Sequence, residues 1–257
     1  MKRLFTIASL VALTLASCAK DEIKSEEKGE GSVTIACNVA TDVTETRANV
    51  SCTTPAEEDF ALVIEGVSLG YKQEYASVAD FDEEAYFYKG TYKATVTAGD
   101  TANEGYDKAA FVGSKEFVIT PRQNTKVDIT ATIANALVKV VVTDSFKTYF
   151  PGGYDLKLTT AAGNEFDVTA QTEPLFIAPT SFKITGTGTK QANQSGAEAS
   201  TIAIPEYNND QLEAQHYYTV KLDVSNVGQA TLTVTLNDTI VEEQTIETEL
   251  NDNSDNA

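Results

Sequence analysis

Thr125-Lys126-Val127-Asp128-Ile129-Thr130-Ala131-Thr132-Ile133 decides the fold, together with Leu137-Val138-Lys139-Val140-Val141-Val142-Thr143 just beyond it. In the first run Val127, Ile129, Ala131 and Ile133 alternate with Lys126, Asp128, Thr130 and Thr132. A period of two puts the apolar set on one face and the polar set on the other, which is the pattern of a half-buried strand. Only Ala134-Asn135-Ala136 separates the two runs, with no glycine or proline to turn the chain. The chain is therefore expected to pass extended from one sheet assembly into the next, with a soft boundary near residue 135.

The same reading extends outward in both directions. Ser32 to Val39 alternates through Val33, Ile35, Cys37 and Val39, and Thr91 to Ala98 through Tyr92, Ala94, Val96 and Ala98. Asp59 to Glu65 is apolar on both faces, as a central strand would be. Glu84 to Tyr88 is a short aromatic strand before a Lys89-Gly90 turn, and Lys115 to Thr120 closes at Pro121. Beyond the boundary, strands are expected at Tyr154 to Thr160, Glu165 to Thr169, Leu175 to Ala178 and Ser181 to Thr185. Others follow at Thr201 to Ile204 (ending at Pro205), Tyr217 to Ser225, Gln229 to Leu236 and Ile240 to Leu250. One helical turn is expected at Asp144 to Phe150, capped by Asp144 or Ser145 and stopped by Pro151-Gly152-Gly153. Many short strands with threonine-rich outer faces define an all-β chain of two tandem antiparallel β-sandwich domains, residues 31–135 and 136–250, with a polar tail at 251–257.

The front of the chain gives an address. Lys2 and Arg3 precede the mostly apolar Leu4 to Leu15, a stretch of signal-peptide length that is too short to span a bilayer. Leu15-Ala16-Ser17-Cys18 resembles the bacterial lipobox, which implies cleavage between Ser17 and Cys18, a signal peptide at 1–17 and acylation of Cys18. Acyl chains at one residue anchor stably, because each buried methylene contributes roughly 0.8 kcal/mol. Lys20-Asp21-Glu22 resembles the export signal of Bacteroidetes-type surface lipoproteins. That implies an outer-membrane protein facing the exterior on a lipidated tether, residues 18–30. The plainer alternatives are an ordinary secretory cleavage site and a solvated, charged linker.

Composition excludes some functions. Loss of residues 1–17 leaves 17 basic residues against 38 acidic ones, a net charge of −21. Nucleic acid is not the partner of such a surface, since phosphates are neutralised by lysine and arginine. Cys37 shares a face with Val33, Ile35 and Val39 and reads as a small core residue; a Cys37–Cys52 bridge stays open as the alternative.

With the strands in place, the chain resembles a family of Bacteroidetes-type surface lipoproteins of unknown function that are related in layout to fimbrillin-like adhesins. The resemblance rests on the lipobox and first strand, Thr46-Arg47-Ala48, Asp59-Phe60, Lys89-Gly90-Thr91-Tyr92 and Ala110-Phe111-Val112-Gly113. It continues from Val127 through Ala136-Leu137-Val138-Lys139-Val140 to Asp144-Ser145-Phe146-Lys147-Thr148-Tyr149-Phe150. It implies tandem sandwiches and a role in surface structure or adhesion, with fimbrial subunits or a host surface as partners. In fimbrillin-type pilins a protease cuts after an arginine beyond the first strand, and a donor strand then fills the vacated groove. Arg47 stands where such a cut would fall; the competing expectation is a tethered monomer in which Arg47 is loop sequence.

Catalytic chemistry is not suggested. His216 is the only histidine and lacks a second histidine or a serine or cysteine motif, so no triad is expected. No phosphate loop or zinc-spaced set occurs. Asp80, Asp82, Glu83 and Glu84 supply oxygen ligands without EF-hand spacing and read as a solvated loop. The expectation is a non-enzyme with no cofactor and no metal. Glycan binding is the rival to adhesion, with Tyr86, Phe87 and Tyr88 as stacking residues. Asp100-Thr101-Ala102 and Asp238-Thr239-Ile240 look like an O-glycosylation pattern, which makes Thr101 and Thr239 candidate acceptors.

Overall fold

The structure is a computed structural model and describes residues 29–41, 43, 50–190, 200–226, 229–236 and 239–246. The chain is all-β, with two tandem sandwich bodies, each enclosing its own core.

The first body is one seven-stranded sheet in the order β3-β2-β5-β7-β8-β1-β4. Its strands are β1 (Glu30–Ala40), β2 (Ala61–Gly66), β3 (Lys72–Tyr75), β4 (Tyr86–Tyr88), β5 (Gly90–Ala98), β7 (Phe111–Ile119) and β8 (Asn124–Ile133). The alternations read for β5 and β8 land as expected, and that of β1 holds at Val33 and Ile35, while Cys37 and Val39 are half-buried against the core. Tyr92, Ala94, Val96 and Ala98 of β5 are buried, as are Val127, Ile129, Ala131 and Ile133 of β8. The sheet folds across itself at the β7–β8 corner. There the ladder holds only at Phe111 opposite Ile133 and Val112 opposite Thr132. The two halves of the sheet thus share a core in which Leu62, Ile64 and Tyr92 join Val33, Ile35 and Ile129.

The corner depends on Gly113. A β-carbon there would lie 2.6 Å from the Thr130 carbonyl oxygen and 2.9 Å from the Ala131 α-carbon. Only a residue without a side chain permits the two backbones to come so close.

The second body packs a four-stranded sheet, β11-β10-β13-β14, against a six-stranded one, β17-β16-β15-β9-β12-β6. The first sheet holds β10 (Tyr154–Thr160), β11 (Glu165–Asp167), β13 (Phe182–Thr189) and β14 (Thr201–Asn209). The second holds β6 (Gly105–Tyr106), β9 (Ala136–Val142), β12 (Leu175–Ile177), β15 (Tyr217–Asn226), β16 (Gln229–Leu236) and β17 (Thr239–Ile246). Leu156, Leu158 and Ile184 of one sheet meet Val138, Val140 and Val220 of the other. Helix α1 (Asp144–Tyr149) closes one end through Phe146 and Phe150.

Four details depart from the sequence reading. First, pairing is mostly antiparallel, but β1–β8 and β9–β15 are parallel. Second, the cap of α1 is Thr143 rather than Asp144 or Ser145. Its hydroxyl accepts from the Phe146 amide at 3.2 Å and donates to Asp223 Oδ1 at 2.5 Å. Third, β14 runs through Pro205 instead of stopping there. It is an edge strand, and the register shifts between Ile184 and Gly186 opposite it, so the missing N–H falls at an irregularity. Fourth, the stretch between Ala98 and Phe111, where no strand was expected, contains β6, which leaves the first body and pairs with β12 of the second.

That crossing segment ties the bodies together. Glu104 Oε2 accepts from the Thr160 hydroxyl (2.6 Å) and the Asn164 amide (2.8 Å), while Oε1 accepts from the Ala178 N–H (2.9 Å). Asn135, fully buried between β8 and β9, accepts from the Ala110 N–H through its side chain and from the Gln215 N–H through its backbone.

Candidate functional site

The three-residue strand β4 sits at the edge of the first sheet and pairs with β1. Alternation splits its aromatic rings. Phe87 faces inward at 3% exposure, with ring centroids 5.7 Å from Tyr71 and 5.6 Å from Tyr92. Tyr86 and Tyr88 point outward at 74% and 62% exposure. Phe87 therefore belongs to the core and cannot stack on a ligand. The exposed pair is Tyr86 and Tyr88, about 6.7 Å apart along the strand. The Tyr92 hydroxyl donates to the Tyr88 carbonyl at 3.0 Å and so ties β4 to the inner layer.

Register sets the neighbours of this pair. Tyr86 lies opposite Ser32 and Tyr88 opposite Glu30. Ser32 in turn lies opposite Asn124 of β8. Asn124 Nδ2 donates to Ser32 Oγ at 3.0 Å and to Thr34 Oγ1 at 3.2 Å. Lys126 and Asp128 continue the same face as an ion pair at 3.7 Å. The outer face of β4-β1-β8 thus offers two phenol rings beside a band of hydroxyls and an amide. Exposed aromatic side chains beside polar groups make this face a candidate contact site. The chemistry it supports is stacking and hydrogen bonding.

Ser32, Thr34 and Asn124 were not singled out from the sequence. Alternation places them outward, but only the register of β1 with β8 and β4 brings them beside the tyrosines.

The other singled-out residues lie apart from this face. Asp100 Oδ1 accepts from the Ala102 N–H at 2.9 Å, which leaves Thr101 half-buried in a turn after β5. Thr239 opens β17 opposite Leu236. His216 is engaged locally, with Nδ1 3.0 Å from the Ala214 carbonyl and Nε2 3.6 Å from Glu213. Cys37 and Cys52 carry free thiols, and burial raises the pKa of both. Ser17, Cys18, Lys20, Asp21, Glu22 and Arg47 lie outside the described residues.

Further concavities occur among the described residues, one of them a 400 Å³ cleft between Cys52, Thr53, Asp107 and Glu173. A groove of 720 Å³ lies on the four-stranded sheet, between Asp155, Lys157, Glu165, Lys183 and Thr185. A cleft of 280 Å³ lies beside β1, between Ile35, Val78 and Phe81. No described helix is long and apolar enough to cross a membrane.

Fold and face together define a two-sandwich β protein with an aromatic edge. The family described as "Domain of unknown function (DUF4493)" matches residues 29–252, and the chain belongs to it. No curated protein matches the chain. Among solved structures, the chain is similar to a candidate cell adhesion protein from Bacteroides eggerthii at 11% identity and a TM-score of 0.44, covering 82% of this chain and 95% of that one. It is similar to a fimbrial assembly protein from Parabacteroides distasonis at 14% identity and a TM-score of 0.42, covering 81% and 98%. It is also similar to the fimbrial anchor protein Mfa2 from Porphyromonas gingivalis at 9% identity and a TM-score of 0.40, covering 84% and 100%.

Proposed function

We propose that the protein is a non-enzymatic lipoprotein of the outer-membrane surface that acts as an adhesin or fimbria-associated component. Cys18 carries the lipid, after cleavage behind Ser17, and Lys20-Asp21-Glu22 directs the chain outward. The observation that carries the contact role is the exposed Tyr86–Tyr88 pair, held on a short edge strand beside Ser32 and Asn124. An aromatic pair on a rigid sheet loses little side-chain entropy on binding, which suits a recognition surface. The acidic chain keeps the molecule soluble and repels like-charged surfaces.

The chain remains a tethered monomer with β1 in place. The nine-residue parallel ladder between β1 and β8, from Ser32 to Ala40, supports this reading, because Val33 and Ile35 fill the core from that strand. A cut at Arg47 would put that ladder and its buried side chains at risk. N-terminal analysis of native surface material tests the point. The expected result is a single lipid-linked Cys18 terminus, and a new terminus at Ala48 would replace the tethered monomer with a processed pilin subunit.

Glycan binding is the second reading, favoured by the phenol rings lying beside an amide and hydroxyls. Loss of retention on a polysaccharide affinity gel after replacement of Tyr86 and Tyr88 would support it. Thr101 and Thr239 are proposed carriers of O-linked sugar, and an intact mass equal to that of the acylated chain would remove that proposal.

A further inference from the structure

Strand β1 is paired unequally on its two sides. Toward β8 it holds nine register pairs, Ser32 to Ala40, but toward β4 only three, Glu30 to Ser32. Beyond Ser32, among the described residues, no strand continues on that second side.

The direction of the backbone groups follows from two hydrogen bonds. The Ser32 N–H points to the β8 side, donating to the Gln123 carbonyl at 3.1 Å. The Cys37 N–H points the other way, to Glu57 Oε1 at 3.4 Å. Strand groups alternate, so Val33, Ile35 and Cys37 all present N–H and C=O to the open side. The contact from Glu57 is long and charged, a weak stand-in for a ladder partner.

The 280 Å³ cleft lies along this edge. Its floor is Ile35, Val78, Ala79 and Phe81, and its rim is Glu57, Glu58 and Glu83. All three carboxylates are exposed, and no ion pair engages them among the described residues. Open edges in native sheets are normally covered, shortened or defended by lysine. Here the defence is three acids around an apolar notch.

We propose that the open edge of β1, from Val33 to Cys37, takes an extended peptide strand from a partner protein. Its alternate side chains are apolar and enter the notch over Ile35 and Phe81, and the intervening ones are lysine or arginine and meet Glu57, Glu58 and Glu83. Main-chain hydrogen bonds supply the attachment, and the notch with its acidic rim supplies the selectivity. β1 stays in its own sheet; the incoming strand adds beside it, in line with β4. A second copy of this chain is a poor occupant, because its net charge of −21 after loss of residues 1–17 opposes the rim.

The test uses the folded protein and an end-blocked seven-residue peptide of alternating lysine and valine. Binding is followed by amide chemical shifts and hydrogen exchange. The expected result is perturbation and slowed exchange at Ile35 and Cys37, with affinity that falls as salt rises. Glu57→Lys/Glu58→Lys/Glu83→Lys should weaken binding by about tenfold or more, since the rim charges then repel the peptide. On the unaltered protein, the same peptide N-methylated at every residue, so that no N–H is left to face β1, should not bind. That control needs no variant, so a misfolded triple mutant does not spoil the test. Binding that survives N-methylation, or that leaves Ile35 and Cys37 unperturbed, overturns the proposal. No binding by the unmethylated peptide at millimolar concentration overturns it as well. Neither failure touches the surface-adhesion reading, which rests on Tyr86 and Tyr88.

Discussion

The side-chain carbonyl of Asn135 accepts a 2.6 Å hydrogen bond from the Ala110 N–H, so the residue between the two sandwiches also pins the segment that crosses between them. Both partners are buried. Among the described residues Asn135 Nδ2 finds no partner, and the side chain is held by its oxygen. Asn135→Ala leaves the Ala110 N–H buried and unpaired, which costs about 1–3 kcal/mol. Urea denaturation should show the midpoint fall with the slope unchanged. An unchanged midpoint would mean that water replaces the lost acceptor.

Glu104 reaches from the first body to three groups of the second. Glu104→Ala removes both acceptor oxygens and with them three hydrogen bonds, and hydrogen bonds to a charged group are worth about 1.5–3 kcal/mol each before rearrangement. The expected outcome is a loss of coupling between the bodies. Calorimetry should resolve two transitions where the parent shows one. Glu104→Gln keeps one acceptor oxygen and should fall between the two.

Gly113 marks the corner where the first sheet folds over. Gly113→Ala puts a methyl group against the Thr130 carbonyl and the Ala131 backbone, and neither can yield by rotating a side chain. The cost is expected to be at least the roughly 1–3 kcal/mol typical of overpacking. Gly70→Ala is the comparison for a glycine in open space, although its positive φ of 61° adds strain of its own.

Tyr71 gives the sheet a signature in alkali. Burial, then the neighbouring Tyr75 and Tyr92, push its phenol up to about 12. The folded state holds this proton more tightly than the unfolded chain, whose tyrosine titrates near 10. The stability it contributes is therefore complete below about pH 10 and is lost as pH rises toward 12. Tyrosinate absorbance should include one late step that Tyr71→Phe removes.

How much of this was visible in the sequence varies with how local the cause is. The inward face of β5 could be read from Tyr92, Ala94, Val96 and Ala98, because a period of two depends only on neighbours in the chain. So could the split between Phe87 and its flanking tyrosines, although the sequence reading grouped all three as ligand contacts. What escaped was set by distant partners. Nothing near Gly105-Tyr106 announces that β6 will pair with Leu175 and Phe176. The parallel match of Ser32 with Asn124, which builds the polar side of the candidate face, spans ninety-two residues. Pro205 was read as a stop because proline donates no ladder bond; an edge position beside a register shift removes that objection.

The central claim is that the protein works by contact at the cell surface through the Tyr86–Tyr88 edge. Attachment of intact cells to a host-cell monolayer, compared between the parent protein and Tyr86→Ser/Tyr88→Ser at matched surface abundance, tests it most directly. Both side chains are solvent-facing, so the double variant should fold normally. Exposed aromatic anchors typically carry about 2 kcal/mol or more when they are true contact residues, so attachment should drop sharply, toward that of cells lacking the protein. Attachment equal to the parent, with the variant folded and displayed, would contradict the account.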